Sequence, residues 1–72
     1  MTPLQSLQKV CRLIIADNPS MRHAILDTLS MAIEEIEDTS EANAVDLAFQ
    51  ELRQDYGIVF INHYVAKAAQ SS

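Results

Sequence analysis

Apolar residues recur every three or four positions between Asn18 and Asp38, which is the most regular hydrophobic pattern in the chain. Asn18 and Pro19 are typical of a helix start, because an Asn side chain can accept a bond from an unpaired amide and Pro has no amide to leave unpaired. The apolar positions are Met21, Ile25, Leu29, Ala32 and Ile36, with Leu26 and Ile33 beside them. At about 100° per residue they fall on one arc, so the pattern predicts an amphipathic helix of about five turns.

One apolar residue, Met31, lies on the opposite side of this predicted helix, among acidic residues. A lone exposed apolar side chain is common and needs no function, but Met is also suited to irregular partner surfaces. The acids near the end of the helix oppose its dipole, although they also lie beside the start of the next helix, where negative charge is favourable. Two interpretations of these acids remain open: a solvated face of the helix, and a surface that binds a basic partner. The residues predicted to bind a partner are Met31, Glu34, Glu35, Glu37, Asp38 and Glu41.

The chain before this segment has the signature of a capped first helix. Thr2 can cap it, Pro3 suits the first helical position, and Gln5 stands where a capping box needs its reciprocal partner. Its apolar face is Leu4, Leu7, Val10, Cys11 and Ile14. This helix should end before Pro19, since the residue preceding a proline is disfavoured in a helix. The short connection that follows predicts a hairpin of the first two helices.

A third helix is predicted to begin at Asp38 or Ser40, both of which can cap a helix. Its apolar stripe is Val45, Ala48, Phe49, Leu52 and Tyr56. Gly57 can end the helix, because glycine adopts positive φ without strain. The alternative is one helix that continues through Gly57, because the stripe stays in register at Val59 and His63.

The segment after Gly57 is ambiguous between helix and strand. Its β-branched and aromatic residues favour a strand over 58–62, which would need a partner strand across a dimer. As a helix, it carries one stripe at Ile58, Ile61 and Val65 and another that includes Val59 and Phe60. A single small core cannot cover both stripes, and exposed apolar stripes attract partners. Val59 and Phe60 lie roughly in line with the stripe of the third helix, so one core can take them. The predicted self-association residues are therefore Ile58, Ile61 and Val65.

Length and composition point to one small domain that needs extra stabilisation. The 72 residues are 49% hydrophobic, and a chain of this size buries only about 60% of its unfolded surface. A disulfide within the chain is impossible because Cys11 is the only cysteine, so self-association is the remaining route. We predict an all-α fold over residues 1–72, a small bundle of three or four helices completed by a homodimer.

The charge balance bears on the class of partner. Ten acids against five bases give a formal charge of −5, which disfavours binding to phosphate backbones or to anionic membranes. The N-terminus has no basic region followed by a continuous apolar stretch, so no secretory signal is expected and a cytoplasmic location is favoured. We therefore expect another protein as the partner, with no nucleic acid and no membrane.

No arrangement of residues in the sequence indicates catalysis or a bound cofactor. No cysteine–histidine spacing fits zinc, and no nucleophile with a base, or glycine-rich phosphate loop, can be identified. The sequence favours a small non-enzymatic module that regulates or inhibits a partner protein. The alternative is a nucleic-acid-associated transcriptional regulator, in which Lys9, Arg12 and Arg22 would form a basic face.

Overall fold

The computed structural model describes residues 1–70 as four α-helices, and residues 71 and 72 of the predicted domain lie outside this range. The helices are α1 (Pro3–Asp17), α2 (Arg22–Glu35), α3 (Glu41–Tyr56) and α4 (Ile58–Gln70), with a short 3-10 helix at Pro19–Met21 before α2. Residues 1–70 contain no strand. The all-α prediction is confirmed, and the strand alternative at 58–62 is wrong. Completion of the bundle by a dimer stays a prediction.

The start of α1 follows the local signals in the sequence. Thr2 Oγ1 accepts a hydrogen bond from the Gln5 amide at 3.2 Å, and Gln5 Oε1 accepts one from the Thr2 amide at 2.9 Å. Glu41 adds a contact that the sequence did not indicate: its Oε2 accepts a bond from the Leu4 amide at 3.3 Å. The first turn of α1 is therefore satisfied partly by its own residues and partly by α3.

The second helix is shorter than the predicted span from Asn18 to Asp38. Pro19–Met21 forms the 3-10 helix instead of the first turn of α2, and the Asn18 side chain makes no capping bond. The Asn18 Nδ2 donates to the Ile14 carbonyl at 2.9 Å and to the Tyr64 hydroxyl at 3.1 Å. At the other end, the Glu37 and Asp38 amides bond to the carbonyls three residues before them, at 3.2 and 3.0 Å. Bonds of this spacing tighten the chain into a turn, so α2 ends at Glu35.

Both ends of α3 are defined by single residues. Ser40 is the cap rather than Asp38, and its Oγ accepts a bond from the Asn43 amide at 3.1 Å. Gly57 ends the helix with φ 95° and ψ 148°, a conformation that L-residues with a side chain rarely adopt. The chain changes direction here and α4 starts at Ile58, so the continuous helix through Gly57 is wrong.

The core is built from all four helices. Its fully enclosed side chains are Leu7, Val10, Cys11, Ile14, Ile25, Leu52 and Ile61. Burial raises the pKa of the Cys11 thiol to about 11, so this cysteine is protonated and unreactive at neutral pH. No buried polar side-chain atom in residues 1–70 lacks a hydrogen-bond partner.

The helix face that α4 turns to the core differs from the predicted one. Ile61 was expected on an uncovered stripe with Ile58 and Val65, but Ile61 is 0% exposed and Val65 packs partly against the core. Ile58 is 62% exposed and Val59 is 85% exposed. The prediction failed because it carried the α3 register across Gly57, whereas the turn there lets α4 set its own face.

A polar cluster joins the end of α1 to α4. The Tyr64 hydroxyl donates to Asp17 Oδ2 at 3.0 Å, and Lys67 Nζ lies 3.3 Å from the same oxygen. These interactions, that of Tyr64 first, lower the pKa of the Asp17 carboxyl below its ordinary value. With the Asn18 bond to Tyr64, they fix the position of α4 against the end of α1.

Candidate protein-interaction groove

A groove of about 360 Å³ lies between α2 and α3. Its base is formed by small buried side chains, Ala32 from α2 and Ala44 and Ala48 from α3. Small residues let two helices approach closely and leave room above the contact, because no long side chain fills it. Buried alanines from both helices therefore leave space open in the groove between α2 and α3.

Two large apolar side chains, Met31 from α2 and Leu47 from α3, line this groove while remaining open to water. Met31 is 53% exposed and Leu47 is 50% exposed. Singly exposed apolar residues are ordinary, but two that share one concave surface form a site where a partner could remove apolar area from water. Together with the alanines they give the groove an apolar centre.

The rim of the groove is polar and acidic. Glu35 of α2 and Glu51 of α3 line it, and both are exposed. The other polar lining residues are Thr28, Gln50 and Gln54. None of the basic residues of the chain contributes to the lining. A concave surface with charge of one sign concentrates its electrostatic field, so this groove attracts positive groups.

The predicted partner-binding residues divide into three groups in the structure. Met31 and Glu35 line the groove. The other exposed acids lie just beyond it, at the end of α2 and in the following turn; they are Glu34, Glu37 and Asp38. Glu41 is only partly exposed and accepts the hydrogen bond from the Leu4 amide, so it holds α3 against α1.

Sequence reasoning missed the contribution of α3 to this surface. Leu47 lies roughly opposite the Val45–Leu52 stripe of its helix, as Met31 lies opposite the stripe of α2. The same criterion that singled out Met31 would have found Leu47. Glu51 lies one turn after Leu47 and shares its side of the helix. No local signal in the sequence indicates that the two exposed sides meet in one groove.

Two other grooves give less indication of an occupant. One of about 480 Å³ lies among α1, α3 and α4 and has no charged side chain in its lining. Another of about 340 Å³ lies between α1 and α2, and includes Arg12, Leu26 and Leu29. Of the three residues in the alternative basic face, only Arg12 lines a groove, while Lys9 and Arg22 lie outside all three.

Residues 1–70 show neither a cluster of metal-binding side chains nor a membrane-spanning helix. No group of three or more His, Cys, Asp or Glu side chains in this range could hold a metal ion. None of the helices described combines the length and the hydropathy that a bilayer-spanning segment needs.

In comparisons with known proteins, no family model, curated protein or solved structure matches the chain.

Proposed function

We propose that the protein is a non-enzymatic interaction module that regulates or inhibits a partner protein by binding it through the α2–α3 groove. The observation that carries this proposal is the pairing of Met31 and Leu47, half-exposed apolar side chains from two helices in one groove. Such residues would lose their remaining contact with water when a partner covers them.

The layout of the groove matches the usual organisation of protein interfaces. Protein interfaces have an apolar centre surrounded by a polar rim, and Met is enriched in them. Here the alanines, Met31 and Leu47 form the centre, and Glu35 and Glu51 belong to the rim. Further exposed acids, Glu34, Glu37 and Asp38, occur at the end of α2 and in the turn that follows it.

Binding through this groove can be tested separately from folding. The groove side chains are half-exposed, whereas the α2 and α3 core residues Ile25 and Leu52 are 0% exposed. Leu47→Gln should therefore remove apolar contact area while leaving the core intact. Ile33→Gln is the matched control, because Ile33 is 46% exposed on α2 and does not line the groove.

The experiment is affinity capture from a native lysate with the parent chain, Leu47→Gln and Ile33→Gln, followed by mass spectrometry. We expect one set of partner proteins with the parent and Ile33→Gln, and its loss with Leu47→Gln. Thermal melting of the three proteins checks that all are folded. Equal capture by the three folded proteins would show that the groove is not the binding surface.

We also propose that the chain forms a homodimer through the start of α4. The support is the exposure of adjacent large apolar residues there, Ile58 and Val59, while Ile61 is part of the monomer core.

We propose the cytoplasm as the location of the protein. The free, buried thiol of Cys11 fits this reducing compartment.

A further inference from the structure

We infer that the groove receives an amphipathic α-helix of the partner, with Lys or Arg on both sides of its apolar stripe. This inference rests on the proposed function and adds the conformation and the charge of the occupant. It follows from three features of the groove: its position between two helices, its small apolar base and its acidic rim.

The shape of the groove suits a helix. A helix packs well on a pair of helices, because its rows of side chains fit between theirs at axis separations of about 8–10 Å. Ala32, Ala44 and Ala48 at the base permit such close approach, and Met31 and Leu47 would contact the sides of the incoming apolar stripe. This is the helix-in-groove mode of peptide recognition.

An extended peptide fits the surface less well. Extended peptides are held mainly by main-chain hydrogen bonds to an exposed strand, and residues 1–70 contain no strand that could offer an edge. The amides and carbonyls of an extended segment would be covered by the apolar groove without partners, which is unfavourable. A helix satisfies these groups internally, so it can lie against Met31 and Leu47 without that penalty.

The charges that line the groove suit a basic segment. Glu35 and Glu51 belong to different helices, so an incoming helix would meet a carboxylate on each side. Lys or Arg flanking its apolar stripe would neutralise both. The chain charge of −5 further favours a basic segment and speeds its encounter with the groove at low salt. Nucleic acids and anionic lipid surfaces would be repelled by the same carboxylates.

The test uses three fluorescently labelled synthetic peptides of about four helical turns. The first has a Leu and Ala stripe flanked by Lys, the second has Glu in place of every Lys, and the third has the first composition in an order without a stripe. We expect the first peptide to bind the full chain at least about tenfold more tightly than the other two, measured by fluorescence anisotropy. Circular dichroism should show that it gains helix when bound.

Protein variants then locate the binding site. Leu47→Gln should weaken binding of the first peptide by about tenfold, and Ile33→Gln should leave it unchanged. The Glu35→Gln/Glu51→Gln pair should weaken binding and reduce its dependence on salt, since two rim charges are removed. The matched pair Asp27→Asn/Asp46→Asn changes two exposed acids outside the groove. Its binding should keep nearly the salt dependence of the parent, because only the net charge of the chain changes and the groove carboxylates remain.

Several outcomes would overturn the inference. If the striped and unstriped Lys peptides bind equally, charge alone attracts them and the helical stripe is not recognised. If the Glu peptide binds as tightly as the striped Lys peptide, the acidic residues of the groove do not select a basic partner. If no peptide binds while capture of a partner still requires Leu47, the helical occupant is wrong and the proposed function stands. If capture is also independent of Leu47, the proposed function fails as well.

Discussion

The fold lowers the pKa of the Asp17 carboxyl through contacts with α4. Asp17 accepts hydrogen bonds from Tyr64 and Lys67, which lower its pKa from the ordinary value of 3.8. The unfolded chain therefore binds a proton at a higher pH than the folded chain does. The stabilisation from the charged carboxylate is present above the unfolded pKa and is lost as the pH falls through the folded pKa.

We predict that Asp17→Asn lowers the melting temperature at about pH 7, and that the difference from the parent shrinks towards about pH 2. Both side chains of the ion pair are nearly half exposed, at 45% for Lys67 and 46% for Asp17, so the effect should be modest. Circular dichroism melts at several pH values measure it. The control is Asp27→Asn, an exposed acid on α2; a constant difference for Asp17→Asn across the pH range would contradict the prediction.

Ile25 and Leu29 test where α2 meets the core. The apolar pattern of the sequence placed Leu29 at the centre of the stripe, but Leu29 is only partly buried while Ile25 is 0% exposed. We predict that Ile25→Ala costs about 2–5 kcal/mol in the free energy of unfolding, and that Leu29→Ala costs less. Urea denaturation of the two variants compares them, and the reverse order would mean that α2 is rotated from the position described.

Helix starts and stops were predictable where the signal is local. Thr2, Pro3 and Gln5 form their capping box within the first turn of α1, and Gly57 ends α3 by its own φ. Asn18 precedes Pro19 as a capping residue would, but its side chain makes no capping bond, and its Nδ2 donates to Tyr64, a residue 46 positions later. A polar side chain between two helices can form hydrogen bonds with either of them. Its partners are known only when the residues packed around it in the fold are known.

The acids around the α2–α3 connection act differently, although they are close in sequence. Glu41 is in the first turn of α3 and accepts the bond from the Leu4 amide of α1, so it lies near the positive ends of two helices. Glu34 is in the last turn of α2 and Glu37 follows it, where negative charge is unfavourable. Sequence alone treated them as one acidic flank, because the contact to α1 crosses 37 positions.

We predict that Glu41→Gln destabilises the fold by about 0.3–2 kcal/mol, since a carboxylate near helix N-termini becomes neutral. Glu34→Gln/Glu37→Gln should leave the unfolding free energy unchanged or raise it slightly. Chemical denaturation at low salt measures both. A clear loss of stability in the Glu34/Glu37 variant would mean that these acids hold the fold through ion pairs.

The assembly of the groove shows where prediction from sequence stops. The period of the apolar residues predicted the helices and, for α1 to α3, the sides that face inward, and it marked Met31 as facing outward. Which outward sides meet depends on how the helices cross, and the period of the apolar residues does not determine that crossing. The place of Leu47 and Glu51 in this groove is therefore seen only in the three-dimensional structure.

A dimer through the start of α4 makes a prediction for the whole molecule. Val59→Asp should weaken self-association, because a charge would be placed in an apolar contact. Val59 is 85% exposed, so the monomer fold should tolerate the change. Sedimentation velocity of the parent, Val59→Asp and the control Ala24→Asp, an exposed α2 residue, distinguishes the species. A parent that remains monomeric at every accessible concentration would rule out the dimer.

The two ends of α1 depend on residues from much later in the chain. Its first turn receives Glu41, and its last turn contacts Tyr64 and Lys67 through Asp17 and Asn18. During synthesis, α1 leaves the ribosome long before these partners exist, and its apolar face has no complete core to enter. The domain should therefore reach its native state only after the core residues of α4 have emerged, which makes the growing chain a candidate client for chaperones that shield apolar helices.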